Sequence, residues 1–214
     1  MLRDAAKPPK FRPLPRAFFE PSAETVAPLL LGHWLVHRTR EGVLGGIIVE
    51  TEAYLRNDPA CHGFKGETPR VRTMFGSPGL GYVYLIYGFH HCFNTVCMEK
   101  GIAEAVLIRA IEPLWGLDQM KQRRGDVPEK HLTSGPGKLC SALGITRASD
   151  GVDLCNEKSA LIVAENPGKT KTLEELGPVV QTTRIGISHA VDWPLRWYLG
   201  GSRFVSRRAK LRMP

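Results

Sequence analysis

Ile47-Ile48-Val49-Glu50-Thr51-Glu52-Ala53-Tyr54 decides how the rest of the chain is read, because its β-branched and aromatic residues predict a strand. Successive side chains of a strand point to opposite faces. Ile48, Glu50, Glu52 and Tyr54 are therefore expected on one side, and Ile47, Val49, Thr51 and Ala53 on the other. Carboxylates two residues apart on a strand lie roughly 7 Å from each other. That distance suits the two carboxyl groups of an inverting sugar hydrolase, and it equally suits two acids paired with cations at a solvated sheet edge. Spacing alone does not choose between the roles.

Outward from this strand, His33 to Arg38 and Val43 to Tyr54 read as a hairpin around Arg40-Glu41-Gly42. Upstream, Ser22 can cap a short helix running to Leu31, which Gly32 ends. Downstream, Leu55 to Gly79 is a Gly-, Pro- and charge-rich loop, long enough to be read as functional. Tyr82 to Ile86 and Cys92 to Met98 form a second hairpin with aromatic residues in its Tyr87-Gly88-Phe89-His90 turn. Glu104 to Ile111 predicts a further strand, and Pro113 suits the first turn of a helix reaching about Arg124. Thr133-Ser134-Gly135-Pro136-Gly137-Lys138 is a glycine-rich turn into a short helix whose free N–H groups suit a phosphate oxygen. Ala160 to Ala164, Thr183 to Ile187 and Trp197 to Leu199 are expected as short strands, with residues 151 to 182 an excursion of turns within the same domain.

The chain has 214 residues, 43% of them hydrophobic and 23% charged, enough for one domain with a sizeable core but not for two. Met1 to Pro15 carries basic residues and prolines without an apolar run, and is expected to be a flexible basic arm before a folded domain from Arg16 to Pro214. Lys and Arg number 29 against 21 Asp and Glu, a net charge of +8 that favours a polyanionic partner such as nucleic acid. Cys61, Cys92, Cys97, Cys140 and Cys155 are odd in number and lack a C-x-x-C spacing. They suggest neither a disulfide framework nor a zinc ribbon, and point to a reducing intracellular compartment. No apolar stretch approaches the roughly 18 residues of a membrane span, so no membrane association is expected.

The Val49-Glu50-Thr51-Glu52-Ala53-Tyr54 run is followed by His62, Thr68-Pro69-Arg70, Met74-Phe75, Tyr82-Val83-Tyr84 and Tyr87-Gly88. Further on come Asn94, Leu107-Ile108-Arg109-Ala110-Ile111-Glu112-Pro113, Ser134-Gly135-Pro136-Gly137-Lys138-Leu139, Arg184-Ile185-Gly186-Ile187 and Phe204-Val205-Ser206. Together, in this order, these blocks resemble the alkyladenine (3-methyladenine) DNA glycosylase family over nearly the whole chain beyond the arm. The resemblance implies a single mixed α/β (α+β) domain with a curved, mostly antiparallel sheet, surrounding helices and a protruding β-hairpin. It also implies a monofunctional glycosylase that flips alkylated or deaminated purines from duplex DNA and hydrolyses the N-glycosidic bond, leaving an abasic site. No metal or other cofactor is implied, the partner is double-stranded DNA carrying a damaged purine, and a monomer located with the DNA is expected.

By that resemblance Glu52 is the general base that activates water, Arg109 helps to hold the water, and Glu50 is structural. A carboxylate beside the sugar serves an oxocarbenium-like transition state both as base and as counter-charge. Tyr54, His62 and Tyr84 match the family's base-binding pocket, and Asn94 the residue that crowds the exocyclic amino group of guanine. Tyr87 matches the intercalating tyrosine. Arg70, Arg72, Ser134, Gly135 and Lys138 are candidate phosphate contacts. Val71, Phe89 and Cys61 depart from the family pattern, which bears on local DNA contacts rather than on the reaction.

Three other readings are weaker. A zinc nucleobase deaminase needs H-x-E and P-C-x-x-C, which His90, His91, Cys92 and Cys97 do not supply. A bifunctional lyase needs an activated amine, and no lysine accompanies Glu52 in these motifs. A non-catalytic module for damaged DNA would use the same charge and hairpin, and only the intact Glu52 and Arg109 argue against it.

Overall fold

A computed structural model describes residues 7–209. After a turn at Arg16–Phe19, helix α1 (Ala23–Leu30) starts at Ser22, whose Oγ accepts the Thr25 N–H at 3.4 Å. Strands β1 (Trp34–Thr39) and β2 (Gly42–Tyr54) form the first hairpin, and β3 (Gly81–Ile86) and β4 (His90–Cys97) the second. Then come β5 (Glu104–Trp115), α2 (Leu117–Arg124), α3 (Pro136–Leu143), β6 (Leu161–Ala164), α4 (Lys169–Glu175), β7 (Val179–Thr182) and β8 (Arg196–Leu199). All pairings are antiparallel in a curled sheet of order β3-β4-β5-β2-β1-β6. Strand β8 pairs with β2 beyond the end of β1, and β7 with β8. This is the single α+β domain that the resemblance implies.

Strand β2 is the spine of the sheet. One edge lies along β5 from Gly45 to Tyr54, while the other is shared by β1, opposite residues 42–47, and β8, opposite residues 50–52. Gly45 and Gly46 permit this crowding, since a Cβ on Gly46 would stand 2.0 Å from the Glu112 carbonyl oxygen. Regular alternation breaks at Val49, where the register with β5 slips between Ile48 and Glu50. Ile48 and Val49, consecutive residues, both enter the main apolar core, yet Glu50 and Glu52 still converge on one arginine. The solvated-edge reading of the two acids is excluded, because both are fully buried in an interior strand.

Several expectations need correction. Pro113 does not open a helix. Strand β5 runs through it to Trp115, with Pro113 opposite Gly46 at a register irregularity, where a missing N–H is tolerated. Gly116, at φ 78°, then turns the chain into α2. The strand expected over Thr183 to Ile187 lies earlier, at Val179–Thr182, because from Arg184 the chain leaves the sheet to meet Asp58 and Glu52. Helix α4 falls in the stretch read as turns, and its polar sequence has no apolar stripe to betray it. The loop after Tyr54 is not structureless. It contains a turn at Arg72–Phe75 and packs Cys61, Val71 and Met74 with Tyr82, Val96 and Ala105 in a core of its own.

The later part of the expected Met1–Pro15 arm is not a free arm but part of the fold. Phe11 and Leu14 are buried, Pro13 bridges to Ala164, and the Leu14 N–H donates to the Val163 carbonyl at 2.9 Å. Residues 1–6 lie outside the described residues. No helix among the described residues is long and apolar enough to cross a membrane. Phe11 meets Trp34 and Trp115 edge to face at centroid distances of 5.9 and 5.0 Å, a geometry that adds to simple burial. Phe11→Ala should therefore lower unfolding free energy by roughly 3 kcal/mol, measured from urea denaturation, whereas a residue of a solvated arm would leave the midpoint where it was.

Candidate active site

Burying two carboxylates on one strand requires compensating charge and donors, and five parts of the chain supply them. Strand β5 contributes Arg109, whose Nε donates to Glu50 Oε1 at 3.0 Å and whose Nη1 donates to Glu52 Oε2 at 3.1 Å. Strand β8 contributes Arg196, whose Nε reaches Glu50 Oε1 at 2.8 Å. The segment after β8 brings the Ser206 N–H to Glu50 Oε2 at 2.7 Å and its hydroxyl to Oε1 at 2.8 Å. The segment after β7 brings the Ile185 N–H to Glu52 Oε1 at 2.8 Å, and the Tyr54 hydroxyl donates to Glu52 Oε2 at 2.9 Å. Burial works against the charge of Arg109, but the Glu52 and Glu50 carboxylates outweigh it and hold the guanidinium above its usual pKa. Burial, then Glu52, raises the Tyr54 phenol well above its usual value, so it stays a donor.

The two acids are not equivalent. A carboxylate offers about four lone-pair sites. Glu50 receives four donors, Arg109 Nε, Arg196 Nε and the Ser206 hydroxyl on Oε1 and the Ser206 N–H on Oε2, and of these residues only Arg109 lines the cavity described next. Glu52 receives three donors, two on Oε2 and the Ile185 N–H alone on Oε1. Oε1 keeps a lone pair, and all three partners of Glu52, Tyr54, Arg109 and Ile185, line that cavity.

Glu52 lies just behind the wall of a cavity of about 480 Å³, lined by Tyr54, His62, Tyr84, Asn94 and Arg109 among others, and by Tyr87 at the hairpin. The sequence-expected residues thus converge on one place from β2, the following loop, β3, β4 and β5. His62 and Tyr84 are 4.4 Å apart between ring centroids, and His62 Nδ1 is 3.0 Å from the Tyr82 hydroxyl. Burial, then the nearby Arg70, lowers the His62 pKa. Asn94 is buried, with Nδ2 donating to the Tyr82 carbonyl at 3.1 Å. Its position is therefore set by the β3–β4 hairpin itself.

At the tip of that hairpin Tyr87 and Gly88 have φ of 53° and 78°. Positive values at both central residues are the mark of a tight hairpin turn matched to strand twist. The turn leaves Tyr87 75% and Phe89 70% exposed, the two most solvent-facing aromatic rings described. Of the candidate phosphate contacts, Arg70 and Arg72 are exposed, Arg72 pairing loosely with Glu67 at 3.5 Å. Lys138 is half-buried in the first turn of α3. Ser134 is buried in a bridge to Ala110, and the Gly135 N–H is already given to the carbonyls of Arg109 and Thr133, each at 3.1 Å. The Gly135 amide is thus turned inward, and Gly137, against the ring of His90, is the glycine of this turn that lines the cavity.

Sequence reasoning did not assign roles to Asp58, Arg184, Arg196, Ser206 or the Ile185 amide. Arg196 had a readable signal, as a lone cation in Leu195-Arg196-Trp197-Tyr198-Leu199. The backbone donors of Ile185 and Ser206 had none.

A family model described as methylpurine-DNA glycosylase matches residues 17–203. The chain belongs to that family. The chemistry that goes with membership is hydrolysis of the N-glycosyl bond of alkylated bases in DNA, which decides against a purely binding role. A protein of Methanoculleus marisnigri named "Putative 3-methyladenine DNA glycosylase" is 52% identical over 91% of this chain and 99% of its own length. Proteins of the same name from Carboxydothermus hydrogenoformans and Francisella tularensis (strain FSC 198) are 46% and 44% identical, over 91% and 84% of this chain and 99% and 91% of their own lengths.

Removing one partner of a buried ion network leaves the others desolvated and unpaired. Glu50→Gln should cost roughly 3–5 kcal/mol of stability by thermal or urea unfolding, and a cost below about 1 kcal/mol would mean that Glu50 does not anchor the two arginines.

Proposed function

We propose that this methylpurine-DNA glycosylase acts on 3-methyladenine, 7-methylguanine and hypoxanthine, flipping the damaged purine from duplex DNA into the cavity and leaving an abasic site. The observation that carries the reading is that Glu52 keeps a lone pair on Oε1 and is held by three residues that all line a cavity roomy enough for a purine, whereas Glu50 is held by two arginines and Ser206, of which only Arg109 reaches the cavity. Glu52 is the general base. A water placed on Oε1 gives up its proton there as it attacks the sugar carbon, and the carboxylate offsets the positive charge that builds on the sugar. Arg109 steadies the Glu52 carboxylate and, as part of the cavity wall, the water. Glu52 itself is fully buried, so the water meets it among the cavity residues that bind it.

Tyr54, His62 and Tyr84 enclose the extruded base with flat rings that tolerate different purine substituents. Asn94, whose amide is tied to the Tyr82 carbonyl, is a rigid obstacle to the exocyclic amino group of normal guanine. Tyr87 is the wedge. Unstacking costs a few kcal/mol and an aromatic ring in the gap returns about 1–3 kcal/mol, so weakly paired lesions are extruded and sound pairs are not. Arg70, Arg72 and Lys138 hold phosphates without reading sequence, with Ser134 and Gly135 shaping the turn that presents Lys138. The enzyme works as a monomer on double-stranded DNA, in a reducing compartment in keeping with its free cysteines.

The test is release of free base from duplexes carrying one hypoxanthine or one methylated purine, in buffer containing a chelator. The parent should release base, and Glu52→Gln should be slower by at least about 10²-fold while still binding the lesion. A fully active Glu52→Gln would move the search for the base to another residue. Tyr87→Ala should weaken lesion binding by about 1–3 kcal/mol in a fluorescence titration; equal affinities would remove its wedge role.

A further inference from the structure

Asp58 and Arg184 form an ion pair that the chemistry above does not use. Both side chains are fully buried. Arg184 grips Asp58 with two nitrogens, Nη2 reaching Oδ1 at 3.0 Å and Nη1 reaching Oδ2, and Nη1 also donates to the Ala53 carbonyl at 3.0 Å. The guanidinium carbon stands 4.7 Å from the centroid of the Tyr54 ring. Tyr54 lines the cavity and Arg184 does not. The cation therefore backs the ring, and the cavity meets the side the cation leaves free.

This placement bears on which purines the ring accepts. An aromatic face attracts cations, and an N7-alkylated guanine is a cation, whereas hypoxanthine is neutral. A bare guanidinium behind the ring would repel the charged lesion while leaving the neutral one nearly unaffected. Asp58 cancels that repulsion. The charges around this wall then balance, with Glu50, Glu52 and Asp58 set against Arg109, Arg184 and Arg196.

We propose that Asp58 is a specificity-determining residue: by neutralising Arg184 behind Tyr54, it keeps the cavity open to positively charged alkylated purines as well as to neutral ones. The inference rests on the reading of Tyr54 as a wall for the extruded base. An uncompensated charge about 8 Å from the base, at an effective dielectric constant of about 20, corresponds to roughly thirty-fold in an equilibrium, and to about ten-fold once solvent at the cavity mouth screens it.

The experiment measures Kd for two duplexes that differ at one nucleotide, 2′-fluoro-7-methyldeoxyguanosine, which is cationic, and 2′-fluorodeoxyinosine, which is neutral. The 2′-fluorine disfavours positive charge on the sugar, so binding is read without turnover. Asp58→Asn should weaken binding of the cationic duplex relative to the neutral one by about ten-fold. The double variant Asp58→Asn/Arg184→Gln, which removes both charges, should return the ratio to the parent's value. If both affinities fall together in Asp58→Asn, or the double variant fails to restore the ratio, the pair is merely structural and the proposal is overturned. Should Asp58→Asn not fold, Arg184→Gln takes its place, with the ratio expected to move the opposite way; movement in the same direction or none overturns the proposal. A parent that binds both lesion duplexes no better than undamaged DNA would overturn the stacking reading itself, and this inference with it.

Discussion

The bridge that Arg109 makes between Glu50 and Glu52 is the constraint around which the domain is arranged. Two carboxylates with no exposure survive burial only if cations and N–H groups replace the water they have lost. No single element of this fold could furnish that replacement. The donors come from β2 itself, from β5 and β8 on its two flanks, and from the segments after β7 and β8. The sharing of the second edge of β2 between β1 and β8 follows from this need, because it places Arg196 opposite Glu52 in the sheet and within reach of Glu50.

The same network makes two chemically identical residues do different things. Two arginines and Ser206 make Glu50 a fixed counter-ion, while Glu52 is held by residues of the cavity wall, Tyr54, Arg109 and Ile185. The distinction arises from which partners face the cavity: all three of Glu52's do, and only Arg109 of Glu50's. Positions that crowd the spine serve the same end. Gly45 and Gly46 allow β1 and β5 to close on β2 with almost no room for a side chain, and this tightness holds the acids in place relative to the cavity.

Much of this was legible in the sequence, for identifiable reasons. The two hairpins, the Ser22-capped helix, the turn before α3 and the aromatic tip carry local signals that survive in the folded chain: alternation, a capping hydroxyl, glycines at positive φ. The cavity residues were legible only as a set of ordered motifs. Local reading failed where a distant partner decided the outcome. Pro113 was drawn into β5 by its place opposite Gly46, Arg184 left the sheet for Asp58, and Phe11 was pulled out of the arm by two tryptophans. The Val49 irregularity belongs to this class, since a single strand's alternation cannot register a slip against its neighbour.

Chain order adds a consequence of the split cage. During synthesis on the ribosome, Glu50, Glu52 and Arg109 leave the tunnel well before the residues that complete their shell, Ile185 lying 133 and Ser206 156 positions after the acids they bind. A nascent or prematurely terminated chain reaching only β6 would hold the acidic pair without its late donors. Its carboxylates would be left to water instead of held by the protein, and the site would be complete only when the last turns of the domain close over the strand.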